Sequence, residues 1–229
     1  MGQRIDLILV PQGAEYQAVC RGIGRAAAGS VLPIPIGSAP LRQYLHDQQK
    51  AGRIVAGQQL LVMGLCGGLI PRYAIADVVL YRECVDRTHP AFVLPCDTAL
   101  TDWLHTKLTA PTLVRALTSD RLVSSAQEKR QLAQDYAADV VDMEGFAALD
   151  SLYQLGATVA MLRVVSDNAQ HDLPNLANAI DQDGALQPLP LAWGMVKQPI
   201  AAARLMYGSL KSLNRLQRAT TAIFGTNPR

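Results

Sequence analysis

The stretch ADVVDMEGFAALDSLYQLG, residues 138 to 156, runs one apolar segment directly into a helical one, and its reading decides the fold. Residues 138–143 have the nearly continuous apolar character of a strand covered on both faces. From 144 onward the period changes. Ala148, Leu149, Leu152 and Leu155 share one face of a helix, while Asp150, Ser151 and Gln154 take the other. Gly156 then supplies a stop. Two carboxylates, Asp142 and Glu144, stand where a core strand should be meeting a core helix.

The same alternation recurs on either side. DLILV at 6–10, LLVMG at 60–64 and TVAMLRVVS at 158–166 read as strands, and helical patterns fall near 13–26, 38–51, 98–108, 144–155, 174–181 and 193–219. This order predicts a single three-layer α/β/α domain. Pro188, Pro190 and Pro199 punctuate the passage to the last region, so the expected organisation is a domain over 1–183 with a basic helical C-terminal extension over 184–229, packed on or beside it.

Composition agrees with such a domain. The 229 residues are 49% hydrophobic, 17% charged and 5% aromatic, which suits a mostly aliphatic core. No apolar run reaches the length of a membrane span, and Met1–Val10 carries Arg4 and Asp6 in place of a signal-peptide core, so the expected location is cytoplasmic. Cys20, Cys66, Cys84 and Cys96 are irregularly spaced, with no histidine at a ligand spacing, and indicate neither a zinc site nor a disulfide framework. No metal, organic cofactor or nucleic-acid partner is signalled. The net charge of +2 is unevenly spread, because no acidic residue follows Asp183 whereas six basic ones do.

Three motifs carry chemistry. In VVDMEG, Asp142 ends a buried strand and Glu144 begins the next helix, the place where α/β sheets bind ligands; a first-turn Glu would equally serve the helix dipole. In LRVVSDNAQHDLP, Ser166 and Asp167 lie just past another apolar run, although both residue types are also common in turns and helix entries. In MGLCGGL, residues 63 to 69, glycines would let a ligand approach the backbone after a strand. That motif fails G-x-G-x-x-G but matches G-x-C-x-G, the cysteine form of a nucleophile elbow. A hydrolase built on Cys66, with Asp142 or Asp167 and His171, is therefore a competing reading.

Taken together and in this order, MGLCGGL, VVDMEG and RVVSDNA resemble the nucleoside phosphorylase and nucleosidase family that includes methylthioadenosine/S-adenosylhomocysteine nucleosidase. The resemblance covers about residues 5 to 170, and HDLPNLANAIDQDGALQPLPLAWGMVKQP looks like the tail of the hopanoid-associated branch. It implies a mixed central sheet, a homo-oligomer and cleavage of the N-ribosidic bond of a purine nucleoside, most readily hydrolysis of a 5′-modified adenosine. By the same resemblance, Asp167 would hydrogen-bond or protonate the purine, with Ser166 orienting it. Glu144 would hold the ribose hydroxyls, Met143 would pack on the sugar, and Leu65, Cys66 and Gly67 would line the pocket. Glu15 would activate water; a catalytically silent nucleoside-binding protein of the same fold is the alternative within the resemblance.

The sequence departs from the family pattern in three places. Asp142 stands where a Glu is usual, and its role is open. Leu65 replaces a hydroxyl residue that helps to place the water. The arginines that hold phosphate in phosphorylases are missing from PQGAEYQAV and LLVMGL, which favours water over phosphate, with Arg21, Arg25 and Arg42 left as candidates for a different anion site. The C-terminal region mixes basic residues with Trp193, Met195, Leu205, Met206, Tyr207 and Leu210. Such a segment could touch an anionic membrane as a peripheral contact, cover a lipophilic 5′ group, or pack as an amphipathic helix.

Overall fold

A computed structural model describes residues 4–24, 30–174 and 195–225. In chain order the elements are β1 (Leu7–Pro11), α1 (Ala14–Ile23), β2 (Val31–Ile34), α2 (Ser38–Lys50), β3 (Gln59–Gly68), β4 (Val78–Asp86) and β5 (Val93–Pro95). There follow α3 (Thr98–Lys107), β6 (Thr112–Thr118), α4 (Ala126–Tyr136), β7 (Val140–Asp142), α5 (Gly145–Gln154), β8 (Thr158–Asp167) and α6 (Pro199–Phe224).

Strand periodicity sorts the core into two layers. Along β3, Leu60 and Val62 pack with α2 and α5, whereas Leu61 and Met63 pack with α1, α3 and α6. β8 repeats the division, with Val159, Met161 and Val165 on the first side and Ala160, Leu162 and Val164 on the second. These two strands are buried on both faces along most of their length, as their nearly continuous apolar runs predict. The result is the expected three-layer α/β/α arrangement around a mixed sheet.

The sheet has eight strands in the order β2-β1-β3-β7-β6-β4-β5, with β8 paired to both β3 and β4. Those extra pairings close a ring through β3, β8, β4, β6 and β7. β7 runs antiparallel to β3, and β8 antiparallel to β4, so the sheet is mixed. Between Cys66 and Gly67 the β3–β8 register slips: Cys66 pairs with Val165, then Gly67 with Asp167. Ser166 is the extra residue. The bulge breaks the in-out alternation and lets Ser166 and Asp167 serve the same side.

Several sequence expectations need correction. MGLCGGL is not a turn after a strand, because β3 continues through Gly68. Glu144 precedes the helix as its N-cap, with φ −129°. β2, β4, β5, β6 and α4 are additional elements. Few apolar positions mark α4, whose AQEKRQLAQDY is mostly polar; the Ser125 hydroxyl, which accepts from the Glu128 N–H at 3.4 Å, marks its start. Gly156, with φ +73°, does end α5 as expected. The expected helix at 174–181 and most of the hopanoid-like segment lie outside the described residues.

The C-terminal helix α6 packs back onto α1 and onto the end of β8. A Cβ at Gly208 would lie 2.2 Å from the Ser166 carbonyl oxygen, and the Ser212 hydroxyl donates to the Val165 carbonyl at 2.6 Å. Among the described residues, no helix is long and apolar enough to cross a membrane.

Candidate active site

The eight residues that the resemblance assigns to a site line one cavity of about 190 Å³: Glu15, Leu65, Cys66, Gly67, Met143, Glu144, Ser166 and Asp167. They come from the ends of β3, β7 and β8 and from the first turn of α1. Sequence reading did not find the rest of the wall, which includes Ile36, Arg121, Leu122 and Val123. These four lie in segments with no motif, so only tertiary structure brings them to the site.

Behind the cavity lies Arg163, fully buried in the middle of β8. Its guanidinium donates to Asp142 Oδ2 at 3.2 Å and to the Met63 carbonyl at 3.3 Å, and lies 3.7 Å from Glu144 Oε2. Burial opposes its charge, yet Asp142, Tyr81, Glu144 and Glu15 together keep its pKa above that of an ordinary guanidinium. Among the described residues its Nε has no hydrogen-bond partner. A charge in the midst of TVAMLRVVS was the sequence signal for this group.

Asp142 has a place in this cluster that explains its position at the end of β7. Its carboxylate accepts from Tyr81 Oη at 3.2 Å, from Thr118 Oγ1 at 2.9 Å, from the Gly145 N–H at 3.1 Å and from Arg163. Four strands of the ring, β4, β6, β7 and β8, thus contribute side chains to one buried network. The fifth, β3, contributes space. A Cβ at Gly64 would stand 2.2 Å from Arg163 Nη1 and 2.5 Å from Glu15 Oε2, so a larger residue there would displace two side chains of the site itself.

On the cavity side of Arg163 stand two carboxyl groups. Glu15 accepts from the Leu65 N–H at 2.8 Å through Oε2; burial raises its pKa, while Arg163 and that hydrogen bond pull it back. Glu144 accepts from the Gly37 N–H at 2.9 Å, and burial pushes its pKa up to about 7 against the pull of Arg163. The Met143 carbonyl accepts from Ser38 Oγ at 3.1 Å, tying β7 to the start of α2.

The opposite wall holds Ser166 and Asp167. Ser166 Oγ lies 2.8 Å from Asp167 Oδ1 and 3.2 Å from the Cys66 carbonyl, so it can donate to either. Asp167 Oδ2 forms an ion pair with Lys129 of α4, whose side chain is wholly buried and also donates to the Asn168 carbonyl at 3.1 Å. Asp167 thus carries a buried countercharge that the pattern around it does not foretell. A lysine in EKRQLAQ looks like any exposed helical lysine, which is why it went unnoticed.

Other sequence candidates are placed elsewhere. Arg21 donates to Gln217 and Arg42 pairs with Asp150, and neither lines the cavity; Arg25 lies outside the described residues. Arg121 does line it, but both oxygens of Glu128 hold its guanidinium. The elements of a cysteine hydrolase are not assembled. His171 is exposed, its Nδ1 3.4 Å from Asn168 Oδ1, and is not part of the cavity, while burial keeps the Cys66 thiol pKa well above its usual value.

Comparison with known proteins gives a consistent result. A family model described as the phosphorylase superfamily matches residues 53–187. The fold is similar to that of a single-residue mutant of the Helicobacter pylori 5′-methylthioadenosine/S-adenosyl homocysteine nucleosidase, with 5′-methylthioadenosine in its active site. That pair has 19% identity and a TM-score of 0.63, over 93% of this chain and 98% of that one. The Campylobacter jejuni enzyme of the same name is 15% identical with a TM-score of 0.64, over 94% and 99%. Futalosine hydrolase of Helicobacter pylori is 17% identical with a TM-score of 0.63, over 89% and 95%. No curated protein matches this chain in sequence.

Proposed function

The chain belongs to the phosphorylase superfamily, and on that premise we propose that it cleaves the N-ribosidic bond of a purine nucleoside, a 5′-modified adenosine, with water as the acceptor. The observation that carries this reading is the convergence of Glu15, Met143–Glu144 and Ser166–Asp167 on one cavity. A carboxylate pair on one wall and a carboxylate on the other suit a bond that breaks through a ribose of oxocarbenium character. Negative charge beside that ribose stabilises it, and a hydrogen-bonded purine leaves more easily.

Each group then has a role. Glu144 accepts from the ribose hydroxyls and Met143 packs against the sugar. Asp167, fixed on one oxygen by Lys129 and on the other by Ser166, engages the purine. Glu15 accepts the proton of the attacking water, its raised pKa making it the stronger base. Asp142 acts through Arg163: it fixes the guanidinium that stands behind both glutamates.

Water is favoured over phosphate because the cationic groups at the cavity are already committed, Arg121 to Glu128 and Arg163 to Asp142 and Glu144. Adenine release from 5′-methylthioadenosine, adenosylhomocysteine and 5′-deoxyadenosine, measured with and without inorganic phosphate, tests this. Release independent of phosphate is expected. Strict dependence on phosphate would replace hydrolysis by phosphorolysis, and no release from any purine nucleoside would reject the reading.

Two further outcomes follow from the geometry. Cys66→Ala should change turnover by less than roughly threefold, because a single lining contact is lost and no nucleophile is. Loss of all activity in that variant would return the cysteine mechanism. The second concerns pH. Ribose hydroxyls donate to a carboxylate, so nucleoside affinity should rise as the pH passes up through about 7, the value for Glu144. On the acid side the change should approach roughly tenfold per pH unit, and calorimetric titration with a non-cleavable nucleoside reads it. Glu144→Gln should bind weakly at every pH and show no such step. The sign for folding is opposite: the folded carboxyl keeps its proton longer than the unfolded one, so stability from this group falls as the pH climbs from 4.5 to about 7.

A further inference from the structure

The described residues expose nine large hydrophobic side chains, and five of them, Val196, Ile200, Met206, Tyr207 and Leu210, fall in one short span at the start of α6. The buried face of that helix is made by Ala202, Gly208, Ser212, Leu216, Ala219 and Ile223. Ile200, Tyr207 and Leu210 lie opposite it at helical spacing, 61 to 70% exposed. Along one edge of this apolar stripe run Arg204, Lys211 and Arg218, seven residues apart and all exposed. The helix contains no acidic residue, and no ion pair within the described residues neutralises those three cations.

We infer that the first half of α6 docks flat on an anionic lipid bilayer, the stripe sinking among the acyl chains and the basic edge meeting the headgroups. A second copy of the helix is disfavoured as the occupant, because same-sign rows would confront each other beside the seam. An acidic protein partner is disfavoured by extent: a specific interface takes roughly 20–30 residues a side, and the apolar surface is one convex helix. A bilayer needs only such a helix, with long basic side chains that reach from the apolar edge to the headgroups. The contact is peripheral and separate from the cavity, since α6 meets β8 through its other face at Gly208 and Ser212.

Co-sedimentation of the full-length protein with phosphatidylcholine vesicles, with and without phosphatidylglycerol, tests the inference. Binding is expected only with the anionic lipid and should fall as salt rises. Arg204→Gln and Lys211→Gln should each weaken partitioning by roughly fivefold. The triple change Ile200→Ser, Tyr207→Ser, Leu210→Ser should abolish it while leaving thermal stability and adenine release unchanged, because these side chains face away from the core and the cavity. Three outcomes overturn it: no pelleting with anionic vesicles, pelleting indifferent to the triple change, or a concentration-dependent dimer in sedimentation velocity that the triple change dissolves. None of these bears on the cavity chemistry. A chain that released no adenine but bound anionic vesicles would reject the proposed activity and keep this surface.

Discussion

Asp167→Asn is expected to lower turnover of a purine nucleoside by a factor of about 10²–10⁴ while leaving the affinity for a non-cleavable analogue within roughly tenfold. The asymmetry comes from what the amide keeps. Its oxygen can still accept from Ser166 Oγ, which lies 2.8 Å from Oδ1 in the native chain, and it still fills the same space beside Gly67. What it loses is the charge that pairs with Lys129 and any capacity to exchange a proton with the leaving base. Ground-state contacts therefore survive better than those that grow as the purine departs. Single-turnover adenine release and equilibrium binding, measured on the same preparation, separate the two effects. Near-native turnover would remove Asp167 from the chemistry.

Arg163→Met should lower the unfolding free energy by about 3–5 kcal/mol at neutral pH and reduce turnover with it, because removal of one partner leaves a buried charge cluster uncompensated. Asp142, Glu144 and Glu15 would face one another without the cation that now separates them. The pH dependence makes the test specific. Arg163 lowers the pKa of both glutamates, so without it both should take up protons more readily. The deficit should therefore shrink in mild acid and grow in base, which a series of urea unfolding curves would show. A uniform loss across pH would mean that only packing had changed.

How far the sequence could foresee this site depended on where each group sits in its element. Asp142, Glu144, Ser166 and Asp167 were legible because each interrupts or ends an apolar run, where a polar residue has no packing reason to be. Glu15 was legible only through family resemblance. Tyr81 and Thr118 were not, since a strand such as VVLYRECVD carries several polar residues and only burial reveals which one matters. Lys129 was hidden for the converse reason: its helix is mostly polar, so a single inward-facing lysine leaves no trace in the pattern. Gly64 stands in a glycine-rich stretch whose apparent use is to let a ligand approach the backbone. It admits Arg163 and Glu15, which lie far apart in sequence, and no local reading could supply those neighbours. The fold fared similarly, the buried strands β3, β7 and β8 being clear from their apolar runs and the short, exposed β5 depending on its partner β4.

The packing of α1 against α6 also sets an order of events. Thr221 Oγ1 donates to the Gly22 carbonyl, and Arg21 to Gln217, across 199 and 196 residues of chain. The helix that carries Glu15 is thus held by one that leaves the ribosome nearly two hundred residues later. Contacts of such long range form late and slow the search for the native state. A nascent chain halted before α6 would hold β1 to β8 with Glu15 on a helix that lacks this partner, so competence of the site is tied to the emergence of α6 and not to the closing of the sheet.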